Sequence, residues 1–173
     1  MTFTIYAASA PLFAQHLKGL AVVLDKAEAL VEARKLNPAA VLATRLYPDM
    51  FALGQQVRSC TDHACRGGGL LAGVEPPALG DEETFPALKE RVAKAIDFLN
   101  GLDANSFEGA EDRAISFKTP RGEMNMTGQQ YLLNSCLPNF FFHATTAYDI
   151  VRAMGVEIGK RDFMGMTAQP RAG

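Results

Sequence analysis

Residues 127–154 read TGQQYLLNSCLPNFFFHATTAYDIVRAM, and the periodicity of this stretch decides the fold. Alternating steps of three and four pick out Leu133, Cys136, Phe140, His143, Ala147, Ile150 and Met154, the spacing of a helix that buries one seam against other helices. Only His143 on that seam can bind a proton or a metal. Thr127 with Gln130 three residues later is a capping box that starts the helix, and Gly155 ends it. Pro138 removes one backbone hydrogen bond inside the run, which predicts a kink just before His143. Phe140, Phe141 and Phe142 point in directions about 100° apart on a helix, so one core cannot take all three. At least one must face the hairpin, the start of the first helix or a second subunit.

Outward from this stretch, the residues AISFK-TPRG-EMNMT alternate apolar and polar around a Pro-Gly turn and predict a β-hairpin. Upstream, Asp81 or Thr84 opens a helix through Leu88, Val92, Ala95, Ile96 and Leu99 that closes at Asn100-Gly101, and Gly73 to Gly80 is its connection. A further long helix is expected to start at Pro48, with a seam of Met50, Leu53, Val57, Cys60 and Ala64 and with Gln56 and His63 beside it. Tyr47 and Asp49 are candidates to cap it, and Gln55 and Gln56 to turn an amide inward. It runs toward Ala72 through Gly67-Gly68-Gly69, each costing about 1 kcal/mol against alanine in a helix. The triplet marks either a fraying end or a close backbone approach, and without a preceding strand or a following GK[ST] it is no phosphate loop. Asn37-Pro38 caps a short turn to about Ala43. The first helix, about Ala10 to Arg34, has Ser9 as N-cap, Pro11 in its first turn and His16 one residue off its seam, partly exposed at the bundle margin. After Gly155, VEIGKRDFMG reads as an ordered tail, in which Lys160, Arg161 and Asp162 are a candidate anion clamp, and TAQPRAG as a frayed end. The sum is an all-α bundle of four long helices with one short β-hairpin inserted before the last, a single domain over residues 1–173.

A chain of 173 residues, 48% hydrophobic and 21% charged, is enough for one full core. Net charge is -2 and the Lys and Arg residues are dispersed, which argues against nucleic acid and anionic membranes as partners. No apolar run approaches the roughly 18 residues of a membrane span, and the N-terminal stretch lacks the basic start of a secretory signal. Three cysteines, Cys60, Cys65 and Cys136, are an odd, low count that points to a reducing cytoplasm. Cys60 and Cys136 lie on seams and read as buried thiols, not nucleophiles.

The strings RLYPDMFALGQQVRSCTDHA, GAEDR and the run from TGQQY to GVEIGKRDF resemble a bacterial family of unknown function within the DinB/YfiT-like superfamily, over about Tyr6 to Phe163. PNFFFH and GVEIGKRD carry the resemblance to the small family. Helix order, the hairpin and the histidine placement carry it to the superfamily. The resemblance implies a four-helix bundle, commonly a homodimer. It also implies a divalent metal, zinc or nickel, held by one histidine of the second helix and two spaced i, i+4 on the last; some such members are thiol-dependent transferases. His63 matches the second-helix ligand and His143 one of the last pair. The third position is Asn139 one turn before, or Ala147 one turn after, and two imidazoles with an amide are a weaker donor set than three imidazoles.

Three readings stand at this point. In one, His63, His143 and Asn139 hold a metal that activates water or a thiol. In the second, a metal-free bundle, the histidines join a buried polar network with Asn139 or Tyr148 and line a small-molecule pocket with Gln56 and Cys60. In the third, the domain is a structural or interaction homodimer held by surplus apolar surface such as the phenylalanine triplet. All rest on the two imidazoles meeting, or failing to meet, inside the bundle.

Overall fold

Four long amphipathic helices close a ring in the computed structural model, which describes residues 3–119 and 122–166. They are α1 (Ala10–Ala33), α3 (Leu53–Ala72), α4 (Phe85–Asn100) and α6 (Leu137–Ala153). α1 packs on α4, α4 on α3, α3 on α6, and α6 back on α1. Short helices α2 (Pro38–Leu42), α5 (Gly128–Tyr131) and α7 (Lys160–Phe163) join them, so the chain is mostly helical but is not four helices and a hairpin alone. Strands β1 (Ala114–Thr119) and β2 (Gly122–Thr127) form the antiparallel hairpin before the last long helix, in register from Ala114 opposite Thr127 to Thr119 opposite Gly122. Pro120 and Arg121 of its expected turn, and the expected frayed end at 167–173, lie outside the described residues.

Local chemistry fixes the helix ends. The Thr127 Oγ1 accepts from the Gln130 N–H at 3.3 Å while the Gln130 Oε1 accepts from the Thr127 N–H at 3.1 Å, the two halves of a capping box. Thr84 starts α4 by accepting from the Ala87 N–H, and Asn37 starts α2 by accepting from the Ala39 N–H. Ser9 stands at the expected N-cap of α1 but does not cap it, because its hydroxyl donates backward to the Ile5 carbonyl at 2.7 Å.

Two expectations on helix register are corrected. α3 begins at Leu53, not Pro48; the preceding residues are a loop closed by a bridge between Arg45 and Ala52, so Met50 is on no seam and Tyr47 and Asp49 cap nothing. There the Gln55 Oε1 holds the Ala52 N–H at 3.3 Å. Between α5 and α6, residues Leu132–Cys136 form a π turn. A wider turn moves the buried position upstream of Cys136 from three residues back to four, so Leu132 is buried where Leu133 was expected, and Leu133 is exposed. Pro138 falls in the first turn of α6, where a missing N–H costs little.

The glycine triplet is a place of close approach. A Cβ at Gly67 would lie 2.1 Å from the Cys136 Sγ, and one at Gly68 2.8 Å from a Leu99 methyl, so α3 meets both the π turn before α6 and α4 at contact distances that only a hydrogen permits. At the other edge, the tail after α6 returns to α1. A Cβ at Gly19 would lie 2.5 Å from the Asp162 carbonyl oxygen, and the Gln15 amide donates to the Met164 carbonyl at 2.9 Å. Val156 and Ile158 of this tail are buried.

Candidate histidine site

His143 projects from α6 into the bundle and is 8% exposed. Its Nδ1 lies 2.7 Å from the Oε1 of Gln56, a side chain of α3 that is 1% exposed. The Gln56 Nε2 donates to the Phe51 carbonyl at 3.1 Å, so the amide oxygen is the atom turned to the imidazole. His143 therefore donates from Nδ1 and keeps its lone pair on Nε2.

His63, two turns along α3 from Gln56, stacks on His143 with ring centroids 5.5 Å apart and planes 12° from parallel. Its Nδ1 is 3.1 Å from the Arg66 Nη2. A guanidinium only donates, so His63 Nδ1 accepts and the ring proton is on Nε2. Burial, then the Arg66 charge, then His143 hold the His63 pKa down to about 4, and burial lowers that of His143. Both rings are neutral at pH 7. Phe51 also stacks on His143, at 6.0 Å with planes 10° from parallel, Phe142 meets it edge-on at 5.3 Å, and both phenylalanines are about half exposed, at 49% and 55%. The triplet divides as helix geometry requires: Phe140 is buried in the core, Phe141 is half-buried against His16 at 4.9 Å, and Phe142 faces outward beside the site.

The other expected residues lie elsewhere or are otherwise engaged. Cys60 is fully buried one turn after Gln56, and burial raises its thiol pKa far above the ordinary range. Asn139 donates to the Ser135 carbonyl at 2.7 Å, one turn back in its own helical run. Tyr148 packs edge-on against Phe163 at 5.8 Å, on the side of α6 that meets the tail. His16 belongs to that side too and is buried, not marginal: its Nδ1 is 3.3 Å from the Phe163 carbonyl and desolvation lowers its pKa. Asp62 pairs with the buried Arg91. In the tail, Asp162 accepts from the Gly159 N–H at 2.8 Å and pairs with Lys26 at 3.0 Å, so it joins no anion clamp.

A divalent metal bound by imidazoles needs a lone pair on each. His143 Nε2 offers one, but at His63 the tautomer that would free Nε2 puts an N–H on Nδ1, against the Arg66 N–H groups, and leaves a cation beside the metal. The third position holds an amide committed to backbone. No group of three His, Cys, Asp or Glu side chains among the described residues is placed to hold a metal. The donor set does not fit a resident divalent ion.

Arg66 and Phe51, which define this chemistry, carry no signal in the periodicity. A cavity of about 700 Å³ lies apart from the histidines, lined by Tyr6, Phe107, Glu108, Glu111 and Leu133 among others. No helix among the described residues is long and apolar enough to cross a membrane.

Fold and histidine placement together define a DinB-like helical domain. The chain is 34% identical to a DinB family member protein from Shewanella denitrificans, whose crystal structure it matches with a TM-score of 0.84 over 97% of this chain and 94% of that one. Residues 5–164 match the family described as Domain of unknown function (DUF1993), and the chain belongs to that family. No curated protein matches the sequence.

Proposed function

We propose that this domain is a cytoplasmic, DinB-like four-helix bundle that binds a small molecule at the paired His63 and His143 without a resident metal. The observation that carries the reading is the Arg66 guanidinium donating to His63 Nδ1 at 3.1 Å while Gln56 anchors His143 Nδ1 at 2.7 Å. These contacts set opposite tautomers, leaving one ring a donor at Nε2 and the other an acceptor at Nε2. A neutral imidazole whose distal nitrogen is oriented by an amide is built to take a proton from a bound ligand. Phe51 and Phe142 supply an apolar rim for the rest of that ligand.

Protein purified without a chelating tag is expected to carry no stoichiometric zinc or nickel and to gain none on dialysis against either. Near-stoichiometric metal that disappears in both His63→Ala and His143→Ala would overturn the metal-free reading and restore a metal-dependent, thiol-transferase-like enzyme. A homodimer is compatible with this function, and Phe142 is the exposed member of the triplet that would hold it. Sedimentation velocity should then show Phe142→Glu as a folded monomer, whereas an unchanged dimer removes Phe142 from the contact.

A further inference from the structure

The cavity of about 700 Å³ lies where three segments meet: residues 3–6 ahead of α1, residues 104–111 with their 3-10 turn, and residues 129–133 of α5 and the π turn. Its volume suits a small organic ligand. Most of its lining is apolar: Phe107 and Leu132 are buried, while Phe3 and Leu133 are exposed at 76% and 49%. Leu133 is the residue that ordinary helix spacing would bury, and the π turn that exposes it is a feature often found at functional sites. Tyr6 and Phe107 add two rings that meet edge to face at 5.2 Å. The charged residues of the lining are Glu108 and Glu111, with no Lys, Arg or His among the described residues that line it. Neither carboxylate has an ion pair among the described residues. Residues 103–112 carry four carboxylates and no lysine or arginine. Arg113, the next cation along the chain, spends its guanidinium on the Leu71 and Ser106 carbonyls.

We propose that this cavity is a second ligand site, separate from the histidines, and that it takes a small organic cation: a protonated amine on an aryl or branched-alkyl body. The cavity defines the site, and its two glutamates define the charge of what fills it. An anion would meet like charge with no cation in the lining to offset it. A hard metal ion needs about six oxygen ligands and gains nothing from leucine and phenylalanine walls. A protonated amine uses both parts of the lining. Its ammonium is attracted by the carboxylates and by aromatic faces, and its body buries against Phe107, Leu132 and Leu133.

The test uses the full chain with 2-phenylethylammonium chloride as probe and 2-phenylethanol as its neutral counterpart. The Ile5 and Leu133 methyl signals and the histidine ring resonances are followed by NMR. The ammonium probe is expected to shift the Ile5 and Leu133 methyls saturably and to bind at least about fivefold more tightly than the alcohol at low salt. That preference should shrink as ionic strength rises. Glu108→Gln with Glu111→Gln should abolish it, and because both side chains are exposed the double variant should stay folded. Leu133→Ala should weaken both probes alike. Equal binding of the two probes, no binding of either, or a preference that survives the double glutamine variant overturns the organic-cation inference. So does calcium chloride if it produces the same methyl shifts, since the site would then be one for an inorganic ion. An ammonium probe that moves the His63 and His143 resonances and leaves Leu133 still also overturns it, while supporting the histidine site.

Discussion

His63 is held neutral by its surroundings, and that has a measurable sign. The folded-state pKa values of His63, His143 and His16 all lie below the ordinary 6.5, chiefly because burial penalises the charged ring. As pH falls, the unfolded chain takes up these protons first, so stability is full above about pH 7 and is lost as pH drops through 6.5 toward 4. Urea midpoints should therefore fall between pH 7 and 5, before most carboxylates titrate, and His63→Gln should flatten that fall; a midpoint constant over this range in the parent protein would contradict the assignment. The obstacle to metal binding is equally local. Removing the cation and supplying the third imidazole, in Arg66→Ala with Asn139→His, is expected to create zinc binding seen as a zinc-dependent rise in Tm that the parent protein lacks. A double variant indifferent to zinc would show that Arg66 and Asn139 are not what keeps the ion out. At this scale sequence spacing goes only part of the way. It puts His143 on a seam and Gln56 and His63 beside another, but which rotamer Arg66 adopts three residues from His63, and where a loop drops Phe51, are decided by tertiary contacts that periodicity does not encode.

Among the elements, the meeting of α3 with the π turn before α6 is one of the closest and the most easily tested. Gly67→Ala gains about 1 kcal/mol of helix propensity but drives a methyl to 2.1 Å from the buried Cys136 Sγ. Overpacking of this kind costs about 1–3 kcal/mol, so a net loss is expected, recovered when Cys136→Ala removes the sulfur. Equal costs in both backgrounds, measured by urea unfolding, would put the strain elsewhere. The π turn has a different consequence. Deleting the exposed Leu133 should convert it to ordinary helix with Tyr131 and Leu132 at four and three residues from Cys136, leaving the His143 contacts unchanged. We expect the deletion to cost less than about 1 kcal/mol, and loss of folding would show that the wide turn is required. Counting by threes and fours assumes α geometry throughout, which is why it finds α1 and α4 almost to the residue yet assigns Leu133 to the core. It also reads Pro48 as a helix start, because proline suits a first turn, when the actual start is held by Gln55 five residues beyond Met50.

Over the whole molecule, the ring of helices is legible from composition and seam spacing because every long helix hides one face. The return of the tail onto α1 is not, since it depends on backbone contact at Gly19 and Gly165 and not on apolar pattern. Gly19→Ala would push a methyl against the Asp162 and Phe163 carbonyl oxygens at 2.5 and 2.6 Å, and neither backbone can yield cheaply. The expected result is a loss of about 2 kcal/mol or more together with new protease cleavage between Gly155 and Met166; a variant as stable and as resistant as the parent would show the clasp to be loose. The same clasp bears on how the protein is made. α1 is translated first, yet two of its packing partners, α6 and the segment ending at Gly165, arrive last. A nascent chain stalled before that point has an N-terminal helix with an uncovered side, so maturation of this domain is completed only once nearly all of it has left the ribosome.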